Sequence, residues 1–119
     1  MKEIINDAIG SHLAWTGAFK KAIESQSITE AVKFSGYDDM CTFGKWLYSL
    51  GDEVKRRPAY RLVKDLHYRF HTEAGEIVRL MKNGEFNDAR TYLSGEYAVI
   101  SDRLVQALRD WQREEISKG

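Results

Sequence analysis

The stretch RPAYRLVKDLHYRFHTEAGEIVRLMK, residues 57–82, decides how the chain folds. Side chains suited to a core recur three and four residues apart in it: Val63, His67, Phe70, His71, Ala74, Ile77, Val78 and Met81. That is the period of an α-helix with one buried face. Pro58 belongs in the first turn, where its missing N–H would have had no partner anyway. The sequence KNGE then ends the rod at Gly84. A helix of this length with one apolar stripe must cover that stripe with other helices.

The flanking sequence supplies them. Upstream, residues 40–50 read as a short helix capped by Asp38 or Asp39 and ended by Gly51, after a polar loop containing Gly36. Before that loop, Lys2 to Ser25 carries a second stripe of Ile5, Ala8, His12, Trp15, Phe19, Ala22 and Ile23. Downstream, residues 86–114 carry a third: Phe86, Leu93, Tyr97, Ile100, Leu104, Leu108 and Trp111. Ser94-Gly95 is expected to kink or split that region, because Gly costs about 1 kcal/mol against Ala inside a helix. There is a single proline, and period-two alternation is never sustained. The expected fold is all-α, with residues 1–119 forming one domain. Its economical packing is an antiparallel four-helix bundle, with an additional short helix carrying the cysteine motif.

Composition narrows the function. Eighteen basic residues balance eighteen acidic ones, so no electrostatic footprint for nucleic acid or an anionic membrane is present. Lys55-Arg56-Arg57 is short and reads as a solvated loop. No apolar run approaches the roughly 20 residues that span a bilayer. The start, MKEIINDAIG, mixes charges and lacks the apolar core of a signal peptide. With one cysteine, this favours a reducing, cytoplasmic setting.

The chemistry gathers on four residues. The chain has three histidines, His12, His67 and His71, and all fall on expected buried stripes. Imidazole nitrogens need partners in a core. His67 and His71 lie four apart, so both rings leave one face of one helix, as a metal clamp requires. His12 on the first helix can face them in a bundle, and Cys41 can arrive from the short helix. Three nitrogens and a thiolate close a tetrahedral zinc shell. Taken singly, each has a plainer reading. An i, i+4 histidine pair is weakly specific, Cys41 can be a small buried hydrophobe, and His12 can be a satisfied core histidine. Trp15, Trp46, Phe70 and Trp111 read as core packing. The conjunction on three elements raises metal binding to an even alternative.

The same residues resemble a known family, the chemoreceptor zinc-binding domain. The resemblance lies in SHLAW with His12 and Trp15, in CTFGKWL with Cys41, Phe43, Gly44 and Trp46, and in LHYRFH with His67 and His71. These motifs occur in order, and the resemblance covers essentially the whole chain. The resemblance implies a helical bundle holding one zinc ion on His12, Cys41, His67 and His71. It also implies a sensory role, pairing as a homodimer, and attachment to bacterial signalling effectors such as chemoreceptors or diguanylate cyclases. No effector domain is read in these 119 residues, so the chain stands as a free domain or as a piece of a longer protein.

Within that reading, zinc occupancy is expected to control helix packing, with CTFGKWLYSLG as the moving segment. Gly44 serves close backbone approach there, or packing only, and Trp46 anchors the segment. Two alternatives use the same residues. Zinc-bound Cys41 can act as an oxidant sensor that releases metal when oxidised, or zinc can simply staple a dimerisation module. No catalytic arrangement is read: there is no nucleophile triad, phosphate loop or buried carboxylate pair. If only the histidines ligated, an open fourth position would allow hydrolytic chemistry. Asp38, Asp39, Asp65, Tyr37 and Tyr68 are the candidates for orienting the imidazoles, each with a plainer reading as a surface group.

Overall fold

The structure, a computed structural model, describes residues 2–28 and 42–118, the side chains of 2 and 115–118 excepted. Among these there is no strand. The helices are α1 (Lys2–Ser25), α2 (Thr42–Tyr48), α3 (Asp52–Lys55), α4 (Pro58–Lys82), α5 (Phe86–Ser94) and α6 (Glu96–Lys118). They pack as an all-α bundle with extents of 48 × 21 × 20 Å.

Each rod forms where its stripe requires. On α1, Ile5, Ala8, His12, Phe19, Ala22 and Ile23 are buried, and Trp15 is half-buried. On α4, all eight residues of the expected stripe are buried, together with Tyr60, Leu66 and Leu80. Pro58 occupies the first turn of α4, after Arg57 as N-cap. The two rods end alike. After α1, Gln26 N–H bonds the Ile23 carbonyl at 3.1 Å, and Ser27 N–H bonds the Ala22 carbonyl at 3.0 Å. After α4, Gly84 N–H reaches Met81 at 3.0 Å, and Glu85 N–H reaches Leu80 at 2.9 Å. These paired bonds satisfy orphan carbonyls and need a left-handed residue at the turn. Gly84 adopts φ +76° at no steric penalty, whereas Gln26 adopts φ +53° against its Cβ.

The third region divides at Gly95 (φ −105°, ψ −103°) into α5 and α6. The two follow one another along the same side of the bundle. Tyr60 near the start of α4 meets Trp111 near the end of α6, with ring centroids 6.2 Å apart. Tyr92 of α5 donates a hydrogen bond to the Glu73 carboxylate, farther along α4. On α1, Asn6 accepts from Gln112 at 2.8 Å, while Phe19 packs on Tyr97 at 5.5 Å. So α5 and α6 run antiparallel to both α1 and α4, which run in the same direction as each other.

Short helices flank the rods. The expected helix over 40–50 is α2 in its described part, and residues 29–41 lie outside the described residues, with the expected caps Asp38 and Asp39 among them. Phe43, Gly44 and Leu47 of α2 are buried. Tyr60 Oη donates to the Leu47 carbonyl at 3.2 Å, fastening α2 to α4. The stretch around Lys55-Arg56-Arg57, expected as a loop, contains the single turn α3, begun at Gly51. Acidic Asp52 and Glu53 stand in its first turn, where the helix dipole favours them.

Candidate metal centre

Helix α1 presents His12 inward because its stripe turns that position to the core. One turn earlier, the Ala8 carbonyl accepts a hydrogen bond from His12 Nδ1–H at 2.6 Å. That bond selects the tautomer and leaves the Nε2 lone pair available. Nε2 is buried and has no hydrogen-bond partner among the described residues. Backbone carbonyls that hold a ligating histidine in this way fix ring orientation and raise its basicity.

Helix α4 supplies the other two imidazoles. His67 Nε2 and His71 Nε2 lie 3.0 Å apart, with ring centroids 4.5 Å apart at 77°. The His12 ring stands 5.1 Å from His67 and 5.7 Å from His71. One ligand-capable nitrogen from each of the three rings lies within 4.8 Å of the others. All three histidines are at most 1% exposed.

Aromatic rings wall the cluster. Phe70 stands 4.9 Å from His12, and Phe43 of α2 stands 5.2 Å from His67. Trp15 stacks on Phe70 at 5.6 Å and meets His71 edge-on at 4.9 Å. In this dry setting burial disfavours the imidazolium. Desolvation, with the neighbouring His71 adding to it, holds His12 at about 4 against the usual 6.5, although its bond to Ala8 pulls the other way. His67 is pushed far below 6.5, first by burial and then by His71 and His12. At neutral pH both are therefore neutral, with lone pairs that need not lose a proton before binding a cation.

The donor set fits a borderline-soft cation such as zinc. At about 2.0–2.1 Å per Zn–N bond, tetrahedral ligand nitrogens stand about 3.3–3.4 Å apart. The His67–His71 separation of 3.0 Å is a few tenths short of that, and 4.8 Å bounds the rest. Tetrahedral ligation would need a shift of a few tenths of an ångström at His67–His71 and of at most about 1.4 Å elsewhere. An apolar pocket that leaves His12 Nε2 unpartnered is costly, by about 1–3 kcal/mol for a buried unsatisfied nitrogen, unless a ligand uses it.

The structure thus brings His12, His67 and His71 together as their spacing predicts. Cys41 lies outside the described residues, one position before the start of α2. Of the side chains considered as orienting groups, Asp65 and Tyr68 are exposed, and Tyr37, Asp38 and Asp39 lie outside the described residues. The orienting group at His12 is instead a backbone carbonyl. Its signal is the i−4 position of the helix itself, which no side-chain motif marks. Phe43, a residue of the CTFGKWL motif, and Phe70, read from the sequence as core packing, also form the site's walls.

A family model described as the chemoreceptor zinc-binding domain matches residues 12–78, more than half of the chain. No match was found among curated proteins, and none among solved structures. The matched span opens at His12 and takes in Cys41, His67 and His71. With the three histidines gathered in one aromatic-walled core, the chain belongs to the chemoreceptor zinc-binding domain family.

Proposed function

We propose that this chain is a zinc-binding regulatory domain of bacterial signalling, with His12, Cys41, His67 and His71 as its ligands and residues 1–119 as one unit. The observation that carries the proposal is the clustering of three buried imidazoles from two separate rods within 4.8 Å. Bound zinc would add a bond between α1 and α4, whose imidazole rings already meet in the core. Cys41 immediately precedes α2, so its thiolate would bring that short helix under the same control. Without metal, three polar rings stay in an apolar core, which favours any packing that lets them reach water. Occupancy then biases the packing of α1, α2 and α4. Pairing of two copies and attachment to a chemoreceptor- or cyclase-type effector are part of this reading. Among the described residues, no helix is long and apolar enough to cross a membrane.

The deciding experiment is a competition titration of zinc against a chromophoric chelator, followed in parallel by tryptophan fluorescence. Trp15 stands 4.9 Å from His71, and Trp46 stands 5.5 Å from Phe43, so both indoles report on the site. The proposal expects one zinc per chain, an affinity in the range of free cellular zinc, and a fluorescence change that follows occupancy. Far tighter binding with no change in fluorescence marks a permanent staple instead. Release of zinc by oxidant, abolished in Cys41→Ala, would move the signal from metal to oxidant.

A further inference from the structure

A groove of about 550 Å³ lies between α1 and α2. Asp7 and Ser11, both exposed, stand on its α1 side. Trp15 and Trp46, half-buried, flank it, and buried Phe43 lies deeper. His12 also lines it, although its side chain is only 1% exposed. The nitrogen His12 keeps unpartnered, Nε2, is the one that the metal reading needs. A groove between α4 and α6, by contrast, is lined by Leu66, Arg69, Arg103 and Ala107 among others, and by none of the histidines.

We propose that the α1–α2 groove is the route by which a divalent cation reaches and leaves the three histidines. This rests on the metal-binding function proposed above and adds the control of exchange rate to it. The chemistry is graded along the groove. At the mouth, the Asp7 carboxylate offers a hard oxygen to a cation that still keeps its water. Within, the groove is flanked by Trp15 and Trp46, aromatic rings that attract a cation without offering it a ligand oxygen. At the floor stands His12, the first soft nitrogen met, with His67 and His71 behind it at ring separations of 5.1 and 5.7 Å. Trp15 packs against Phe70 and His71, so swinging its indole outward widens the groove and bares the cluster in one motion.

A residue on a route alters loading and release by the same factor and leaves the equilibrium constant alone, whereas a residue supporting the ligands alters the constant. The test is stopped-flow zinc loading of the chelator-treated full chain, and zinc release into excess chelator, with the dissociation constant measured separately by competition. Ser11→Trp places a bulky ring at the exposed rim. It should slow both rates by about tenfold or more, with an unchanged dissociation constant. Asp7→Trp, one turn away on the same rim, gives the same reading if Ser11→Trp does not fold. Asp7→Asn should slow loading and release alike by about threefold to fivefold at physiological ionic strength and by less at high salt, as expected for one exposed charge about 5 Å from a hydrated dication. Rates for the rim tryptophans within about twofold of the parent, or a change in release alone, overturn the route. A parent chain that takes up no zinc overturns the metal reading itself, and that result is in hand before any variant is made.

Discussion

Acid should destabilise the metal-free protein through two buried imidazoles. The perturbation is a drop from pH 7.5 to pH 5.0 in protein stripped with chelator. His12 titrates at about 4 in the fold and near 6.5 when unfolded, and His67 is depressed further. Because the folded values lie below the unfolded ones, the unfolded chain binds more protons. Stability is therefore intact above about pH 6.5, is lost as pH falls, and stops falling only below the folded values. At pH 5.0 an unfolded imidazole is almost fully protonated, while both folded rings remain neutral. Linkage then gives about 2 kcal/mol for each ring, or about 4 kcal/mol together. How far His67 lies below pH 5 does not alter that sum. Against a typical total of about 5–15 kcal/mol, this is a large loss. Urea denaturation followed by far-ultraviolet circular dichroism at both pH values, at equal ionic strength, measures it. A loss below about 1 kcal/mol refutes the reasoning, because the rings would then be solvated or already protonated in the fold.

Other outcomes follow from single contacts. His67→Ala removes half of the α4 clamp and should weaken zinc binding by more than about 100-fold in chelator competition, beyond the cost of losing an outer partner. Gln26→Gly should raise stability by about 0.5–1 kcal/mol in denaturant titration, because Gln26 holds the left-handed turn after α1 at φ +53°. Gly84→Ala, at the equivalent turn after α4, should lower stability by about 1 kcal/mol in the same assay. Phe70→Ala empties a fully buried position that touches His12 and Trp15, and should cost about 3–5 kcal/mol, read as a fall in thermal midpoint.

The rods and the histidine cluster were legible because one period governs both. Helix α1 begins and ends where its stripe does, and the eight inward positions of α4 are all buried. The same stripes that bury Phe19 and Ile77 aim His12 and His67 at one another. What the pattern could not carry is any interaction with the backbone. The Ala8 carbonyl that orients His12, and the Leu47 carbonyl that anchors Tyr60, leave no trace in residue types. The turn α3 escaped for a related reason. Four residues are too few to show a period, and the basic run beside them reads as solvent-facing. The break at Gly95 was visible as a glycine, but the continued course of α5 and α6 along one side depends on what they pack against. Asp65 and Tyr68 are exposed, in keeping with their plainer reading as surface groups.

X-ray absorption at the zinc edge tests the central claim most directly, on protein purified without a metal-affinity tag. Ligation by His12, His67, His71 and Cys41 predicts one zinc per chain, with three nitrogen scatterers at about 2.0–2.1 Å and one sulfur at about 2.3 Å. A first shell of light atoms alone would remove Cys41 from the site, and a protein that retains no zinc would contradict the account as a whole.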